Sequence, residues 1–324
     1  MKAVLIRKHG GPEVLEYAEV PCPEAGEGHV RVRIKAIGLN RRDAFIRAGI
    51  YNRALPLIPG IEAAGIVDDV GAGVSGWASA DRVAYYVADT LGAYAEYQVV
   101  AANRLVRLPA ELSFQDAAGI FDHGLTAHYL STSTFPLRKG HRVLIHAAAG
   151  GVGSLLTQFA KRAGATVYGT VSNCEKALFI KSLGADDSIL HTVCDCVAAV
   201  HLLTGGEGVD VVYDSVGIDT IESSIRCLKP RGTLVLYGQS SGAVTALDPA
   251  QLADAGSLFF TRPHLAHHIA TQEELTLRSR DIFSWYLRGE VSLRIDKVYP
   301  LSQAAQAHRR LEDRSSFGKI LLIP

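Results

Sequence analysis

The sequence predicts an α/β chain in which a doubly wound parallel sheet is inserted into a β-rich domain. Three observations carry that prediction. From Arg142 onward, strand-type runs alternate with helical patterns, the order of a parallel sheet built from βαβ units. At the head of that series, RVLIHAAAGGVGSLLTQFAKRAGA (Arg142 to Ala165) passes from an apolar run through a glycine turn into a helix with Leu155, Leu156, Phe159 and Ala160 on one side. On both flanks lies chain that a six-strand sheet cannot absorb: β-patterned residues up to Pro109, and a tail after Thr261 that ends in strand-like KILLI.

In chain order, VRVRIKA (Val30 to Ala36) alternates, with Val32, Ile34 and Ala36 facing inward and Arg31, Arg33 and Lys35 outward. Similar runs occur at Ala64 to Val70, Arg82 to Tyr86 and Tyr94 to Val100, separated by Gly, Pro, Asn and Asp turns. Between two of these strands lies a polar loop, Gly38 to Tyr51, leading into a short helix that Asn40 can cap and Asp43 can support. Ser113, with Asp116 three residues on, opens a long helix that links the domains. The strands of the inserted sheet are expected at Val143 to Ala147, Thr166 to Val171, Ser188 to Leu190, Val209 to Ser215, Gly232 to Tyr237 and Ser257 to Thr261. Two later helices and Lys319 to Ile323 return to the first domain. The expected division is therefore 1–123 with 263–324 around 124–262, with a cleft at the junction.

The glycine turn, Gly150, Gly151 and Gly153, suits a phosphate. Backbone N–H groups at a helix N-terminus are unpaired, the helix dipole favours negative charge there, and a side chain would hold a pyrophosphate away. Ala148 stands where the common dinucleotide fingerprint has its first glycine. At the end of the next strand, an Asp or Glu would take the ribose 2′-hydroxyl of NAD. Here the residues are Thr170, Val171, Ser172 and Asn173, followed by Lys176. A hydroxyl and an ammonium suit a 2′-phosphate, so NADPH is the expected cofactor; Glu175 would weaken that preference if it pointed inward.

Composition narrows the partners. The 324 residues are 48% hydrophobic, and 33 Lys plus Arg balance 33 Asp plus Glu. No overall field recruits nucleic acid or an anionic membrane, so the partner expected is a small molecule. No apolar run approaches the roughly 18 to 20 residues of a membrane span, and the charged start MKAVLIRKHG is unlike a signal peptide, which makes a cytoplasmic protein the expectation. Five cysteines without paired spacing predict neither a disulfide framework nor a metal site.

Eight segments in order carry a resemblance to a known family: HGGPEVLEY (His9 to Tyr17), KAIGLNRRDAFIRAGIY (Lys35 to Tyr51), EAAGIVDDVGAGV (Glu62 to Val74), GLTAHYL (Gly124 to Leu130), HAAAGGVG (His146 to Gly153), VYDSVG (Val212 to Gly217), GQSSGAV (Gly238 to Val244) and TRP (Thr261 to Pro263). Together with FGKILLIP at the end, the chain resembles the zinc-independent quinone oxidoreductases of the medium-chain dehydrogenase/reductase superfamily. The resemblance implies a GroES-like catalytic domain, a Rossmann domain holding NADPH, and a homodimer. Where zinc-dependent relatives have histidine after the first glycine, this chain reads Gly60, Ile61, Glu62; where they have the catalytic cysteine it carries Asn40. The structural-zinc lobe has no counterpart between Tyr86 and Tyr94, so no metal is expected.

Residue by residue, the resemblance assigns Ser172, Lys176 and Arg314 to the 2′-phosphate, with His191 in place of a family tyrosine. It assigns Tyr129, Gly151, Val152, Gly153, Ser215 and Arg262 to the cofactor lining, and Gln239 to a position where the family often has Asn. It also turns the polar loop into the reaction site: Asn40 and Tyr51 are expected to donate hydrogen bonds to the acceptor oxygen while Asp43 orients the loop. The expected activity is hydride transfer from NADPH to a quinone without a metal. The alternatives are NADPH-dependent reduction of an enone or alkenal double bond, and a mainly regulatory NADPH-binding protein, RNA binding included.

Overall fold

The computed structural model describes residues 1–313 and 316–324. In chain order the first strands are β1 (Lys2–Ile6), β2 (Leu15–Glu19) and β3 (His29–Leu39), followed by helix α1 (Arg41–Arg47). Then come β4 (Glu62–Val70), β5 (Arg82–Tyr86), β6 (Tyr97–Ala101), β7 (Leu105–Arg107) and helix α2 (Phe114–Tyr129). The alternating part holds β8 (Arg142–Ile145), α3 (Gly151–Arg162), β9 (Thr166–Val171), α4 (Cys174–Ser182), β10 (Asp187–Leu190) and α5 (Cys196–Thr204). It continues with β11 (Val209–Asp214), α6 (Ile221–Arg226), β12 (Leu228–Leu236), α7 (Pro249–Asp254), β13 (Phe259–Thr261) and α8 (Leu265–His268). The tail adds α9 (Gln272–Leu287), β14 (Ile295–Pro300), α10 (Ala304–Glu312) and β15 (Lys319–Ile323).

The chain divides into two compact units, 1–123 with 269–324, and 124–268. The division falls within α2, whose start is capped as its sequence suggests: the Asp116 N–H donates to Ser113 Oγ at 3.0 Å, and that hydroxyl donates to the Asp116 carboxylate at 2.7 Å. The second unit runs to His268, past the boundary at 262 expected from the sequence, and the His268 ring stacks on Tyr129 at 4.2 Å.

In the first unit a seven-stranded sheet runs β14-β15-β3-β4-β5-β7, with β6 also pairing β3. The tail completes it, because β15 lies antiparallel to β3 with Ile320 opposite Leu39 and Leu322 opposite Ile37. The alternation read in VRVRIKA is the burial observed: Val30, Val32, Ile34 and Ala36 are buried, and the first three join Val67, Val83, Tyr85 and Leu105 in one core. One strand starts later than its pattern suggests. Tyr94 to Glu96 pair with β1 (Val4 N–H to Tyr94 O, 2.8 Å; Glu96 N–H to Lys2 O, 3.0 Å), and the paired register with β3 begins at Tyr97 opposite Arg33, next to the bond from Ile34 N–H to Glu96 O at 2.8 Å.

In the second unit six strands lie parallel in the order β10-β9-β8-β11-β12-β13, the doubly wound order with its switch between β8 and β11. Leu144, Val212 and Leu234 of its central strands are fully buried. The last strand is shorter than SLFFT suggests: Ser257 has a left-handed backbone (φ 57°) and Leu258 N–H bonds back to Leu252 O, so pairing begins at Phe259. No helix of the described residues is long and apolar enough to cross a membrane.

Candidate active site

The second unit presents a glycine turn at the carboxyl end of β8. The turn is set by Ala147, held at φ 51°, whose carbonyl accepts from Gly150 N–H at 2.9 Å. The left-handed position is Ala147, while Ala148 is a buried anchor whose N–H bonds Thr170 O at 3.0 Å. A Cβ on Gly153 would lie 2.5 Å from Ala147 O, so only glycine lets α3 approach the strand end. Gly150 caps α3, and Ser154 N–H returns to Gly150 O, leaving the N–H groups of Gly151, Val152 and Gly153 without a partner among the described residues. That is a cradle for an anion at a helix N-terminus.

Beside it, β9 and β10 end in register, with Leu190 opposite Val171. Ser172 and His191 therefore follow adjacent strand ends, tied by His191 N–H to Val171 O at 3.2 Å and Thr192 Oγ1 to Ser172 O at 3.2 Å. Asn173 caps α4 by accepting from Lys176 N–H at 2.9 Å, which sets Lys176 in the first turn. Hydroxyl, ammonium and imidazole thus gather at one sheet end, a donor set that fits a phosphate monoester. Glu175, next to them, is exposed. Arg314 lies outside the described residues.

The loops after β11 and β12 are held by two devices. Arg262 reaches back to the carbonyls of Leu236 (3.0 Å) and Gly238 (3.1 Å) and to the Gln239 side-chain oxygen (3.1 Å), so Arg262 and Gln239 form one structural unit. Ser215 Oγ reaches His146 O at 3.5 Å, and Ser215 O accepts from Ser240 N–H. Behind them sits a cluster with no sequence pattern to betray it. Asp214 accepts from the Val216 and Gly217 N–H groups and from the Thr220 and Ser224 hydroxyls, while His146 lies between Thr170 Oγ1 (3.1 Å) and Ser224 Oγ (3.0 Å). Burial holds the His146 imidazole below its ordinary pKa. Tyr129, expected to line the cofactor, is 2% exposed under the His268 ring.

The polar loop of the first unit is built differently. Asp43 is fully buried and accepts from Asn40 N–H at 2.9 Å, so this pair caps α1. The Asn40 side chain, however, is committed inward. Its amide hydrogens go to Glu62 Oε1 (2.8 Å) and Gly38 O (3.2 Å), and its oxygen accepts from Lys319 Nζ (2.7 Å). A lysine only donates, which fixes which end of the amide is oxygen. Both amide hydrogens have partners within the protein, and the Asn40 side chain ties the loop to a buried ion pair. That pair, Lys319 with Glu62, is at most 1% exposed, and Glu62 Oε2 also accepts from Asp122 N–H at 2.8 Å. Gly38 makes room for it, since a Cβ there would lie 2.2 Å from Glu62 Oε1.

A second arm reaches Asp43. Arg47, paired with Glu312, donates to His308 Nδ1 at 2.9 Å. The imidazole proton is therefore on Nε2 and points at the Tyr94 hydroxyl (3.0 Å), which in turn donates to Asp43 Oδ2 (3.3 Å). Desolvation, then Arg47, pushes His308 down to about 3, consistent with a neutral ring. Desolvation also raises Asp43 to about 7, and Asp122, beside Glu62, is raised in the same direction. Tyr51 stands apart from this network: its ring packs edge-on to Phe45 (5.5 Å) and beneath the Arg42 guanidinium (5.5 Å), and its hydroxyl has no hydrogen bond among the described residues. Of the expected trio, Asp43 and Asn40 are scaffold and Tyr51 alone carries an uncommitted donor.

Comparison with known proteins assigns the chain. Residues 26–110 match the alcohol dehydrogenase GroES-like domain and residues 151–276 the zinc-binding dehydrogenase model. Over 98% of both chains it is 44% identical to quinone oxidoreductase 1 of Escherichia coli. The chain belongs to the quinone oxidoreductase family of the medium-chain dehydrogenases/reductases. Within the family, the crystal structure of Escherichia coli quinone oxidoreductase complexed with NADPH matches with a TM-score of 0.97 at 43% identity, covering all of both chains. A 2-haloacrylate reductase from Burkholderia sp is 39% identical over 99% of this chain and 98% of its own. Among the described residues no group of three or more His, Cys, Asp or Glu side chains is placed to hold a metal ion.

Proposed function

We propose that the chain is an NADPH:quinone oxidoreductase. The observation that carries this reading is the phosphate-seeking set Ser172, Lys176 and His191 at the ends of β9 and β10, beside a glycine cradle and with no acid where NAD would need one. The 44% identity to a quinone oxidoreductase supplies the acceptor class. NADPH, when bound, supplies the hydride. The protein's part is to hold the pyrophosphate on the N–H groups of Gly151, Val152 and Gly153, to grip the 2′-phosphate with Ser172, Lys176 and His191, with Arg314 as a further partner, and to shape the nicotinamide end with Ser215, Gln239 and Arg262. The Tyr51 hydroxyl donates to the acceptor oxygen as charge develops there, and Asp43 with Asn40 holds the loop that carries it.

The test is NADPH oxidation with 1,4-benzoquinone and 9,10-phenanthrenequinone, compared with NADH. Turnover that prefers NADPH is expected, and Tyr51→Phe should lower kcat/KM by about a hundredfold or more, as loss of a single oxyanion donor does. Absence of turnover with every quinone, or an unchanged Tyr51→Phe enzyme, contradicts the reading. A second reading, reduction of an activated carbon–carbon double bond, is favoured by the 39% identical 2-haloacrylate reductase. Faster turnover of 2-alkenals than of quinones would establish it.

The enzyme is a cytoplasmic homodimer in this reading. Phe259 and Phe260 on the edge strand β13 are 63% and 37% exposed, a paired-edge surface. Light scattering should give twice the chain mass, and Phe259→Glu should return it to one.

A further inference from the structure

The first unit contains a hollow of about 390 Å³, lined by Arg53, Leu57, Ile58, Asp89, Thr90 and Leu91 among others. Its size is that of a small-ligand site. Its frame is pinned. Leu57 exchanges backbone hydrogen bonds with Ile6 of β1 (2.8 and 3.0 Å), and on the other wall Leu91 N–H bonds Val87 O while Leu91 O accepts from the buried Gln98 side chain. Leu57, Ile58 and Leu91 make the hollow apolar on those walls. Arg53 is the exception. Its half-buried guanidinium makes one long hydrogen bond, Nη2 to Ala88 O at 3.4 Å, its Nε is buried without a partner, and it forms no ion pair among the described residues. Asp89 on the rim is exposed and likewise unpaired among them.

A guanidinium presents five N–H donors in a planar fork that matches a carboxylate or sulfonate. Here most of those donors are unspent and the group faces apolar walls. We infer that Arg53 and this hollow form an anchoring site for acceptors that carry an anionic group on a flat apolar body, with Arg53 as the residue that selects for the charge and Asp89 opposing it. Arg53 lies two residues beyond Tyr51, the donor assigned to the acceptor oxygen. The inference rests on the reductase reading and names the substrate class for it.

The experiment compares 1,2-naphthoquinone-4-sulfonate with 1,2-naphthoquinone at saturating NADPH, in the full chain and in Arg53→Gln and Asp89→Asn. Arg53→Gln keeps an amide for the Ala88 carbonyl and removes the charge. It should lower the sulfonate-to-neutral ratio of kcat/KM about tenfold, the size of one charge-assisted hydrogen bond, while Asp89→Asn should raise that ratio about two- to threefold. Calorimetric titration with naphthalene-2-sulfonate reads the same site without turnover, and Arg53→Gln should weaken its binding about tenfold. An unchanged ratio and unchanged sulfonate binding in Arg53→Gln overturn the inference. Sulfonate binding that depends on Arg53 in a protein that reduces neither quinone upholds the site and overturns the reductase reading instead.

Discussion

The phosphate turn of the second unit and the buried network of the first hold functional residues by opposite means. At the turn, position is set by backbone: Ala147 is twisted to φ 51°, Gly153 is bare because a Cβ would meet Ala147 O, and three N–H groups are left for a ligand. Around Asn40, position is set by side chains far apart in sequence: Lys319, Glu62, Asp122, Arg47, His308 and Tyr94. A backbone device is written in consecutive residues and can be read from them. A side-chain network joins position 40 to position 319, and only the folded sheet brings them together.

The contrast can be broken at its costliest point. Lys319→Met leaves Glu62 buried without its partner, and removing one partner of such a pair typically costs about 3–5 kcal/mol. Denaturant unfolding should show that loss, and adding Glu62→Gln should recover part of it, because the two substitutions share one interaction. If Lys319→Met is as stable as wild type, the network is not what holds the loop.

At the turn the expected effect is smaller. Gly153→Ala must push α3 off the Ala147 carbonyl, an overpacking cost of about 1–3 kcal/mol, and it should weaken NADPH binding more than it lowers stability. Equal NADPH affinity in the variant would remove the requirement for glycine there.

These two outcomes also explain what could be read in advance. The doubly wound sheet, the glycine turn, the cap at Ser113 and the alternation of Val30 to Ala36 each rest on neighbours within one or two turns of chain, and each was legible. Asn40 and Asp43 cap α1 as their spacing suggests, and what that spacing does not reveal is that the partners of the Asn40 side chain include Glu62 of β4 and Lys319 of β15. A signal existed in the form of lone charges in apolar strands, Glu62 before Ala63 and Ala64, and Lys319 before KILLI's apolar run. A buried charge demands a partner, although the sequence does not say which.

The smallest effects are pH slopes, and they should have opposite signs within one network. Asp43 is raised from 3.8 to about 7, so its contribution to stability is fully present below 3.8 and is lost as the pH rises through 7. Wild type should therefore gain on Asp43→Asn as the pH falls from about 7 towards 4. His308 is lowered from 6.5 to about 3, so its contribution is present above 6.5 and is lost as the pH falls through that interval. Wild type should lose ground to His308→Asn over the same range. Shifts in Tm of a few degrees would register both, and slopes of equal sign would refute burial as the cause of the two shifts.

The central claim is that the ends of β9 and β10 recognise a 2′-phosphate. It is tested most directly by calorimetric titration of NADPH and NADH into wild type and Lys176→Ala. The account predicts that wild type binds NADPH more tightly and that Lys176→Ala loses about tenfold or more for NADPH, the strength of one charge-assisted contact, with little change for NADH. Equal losses for both dinucleotides, or a wild type that prefers NADH, would contradict it.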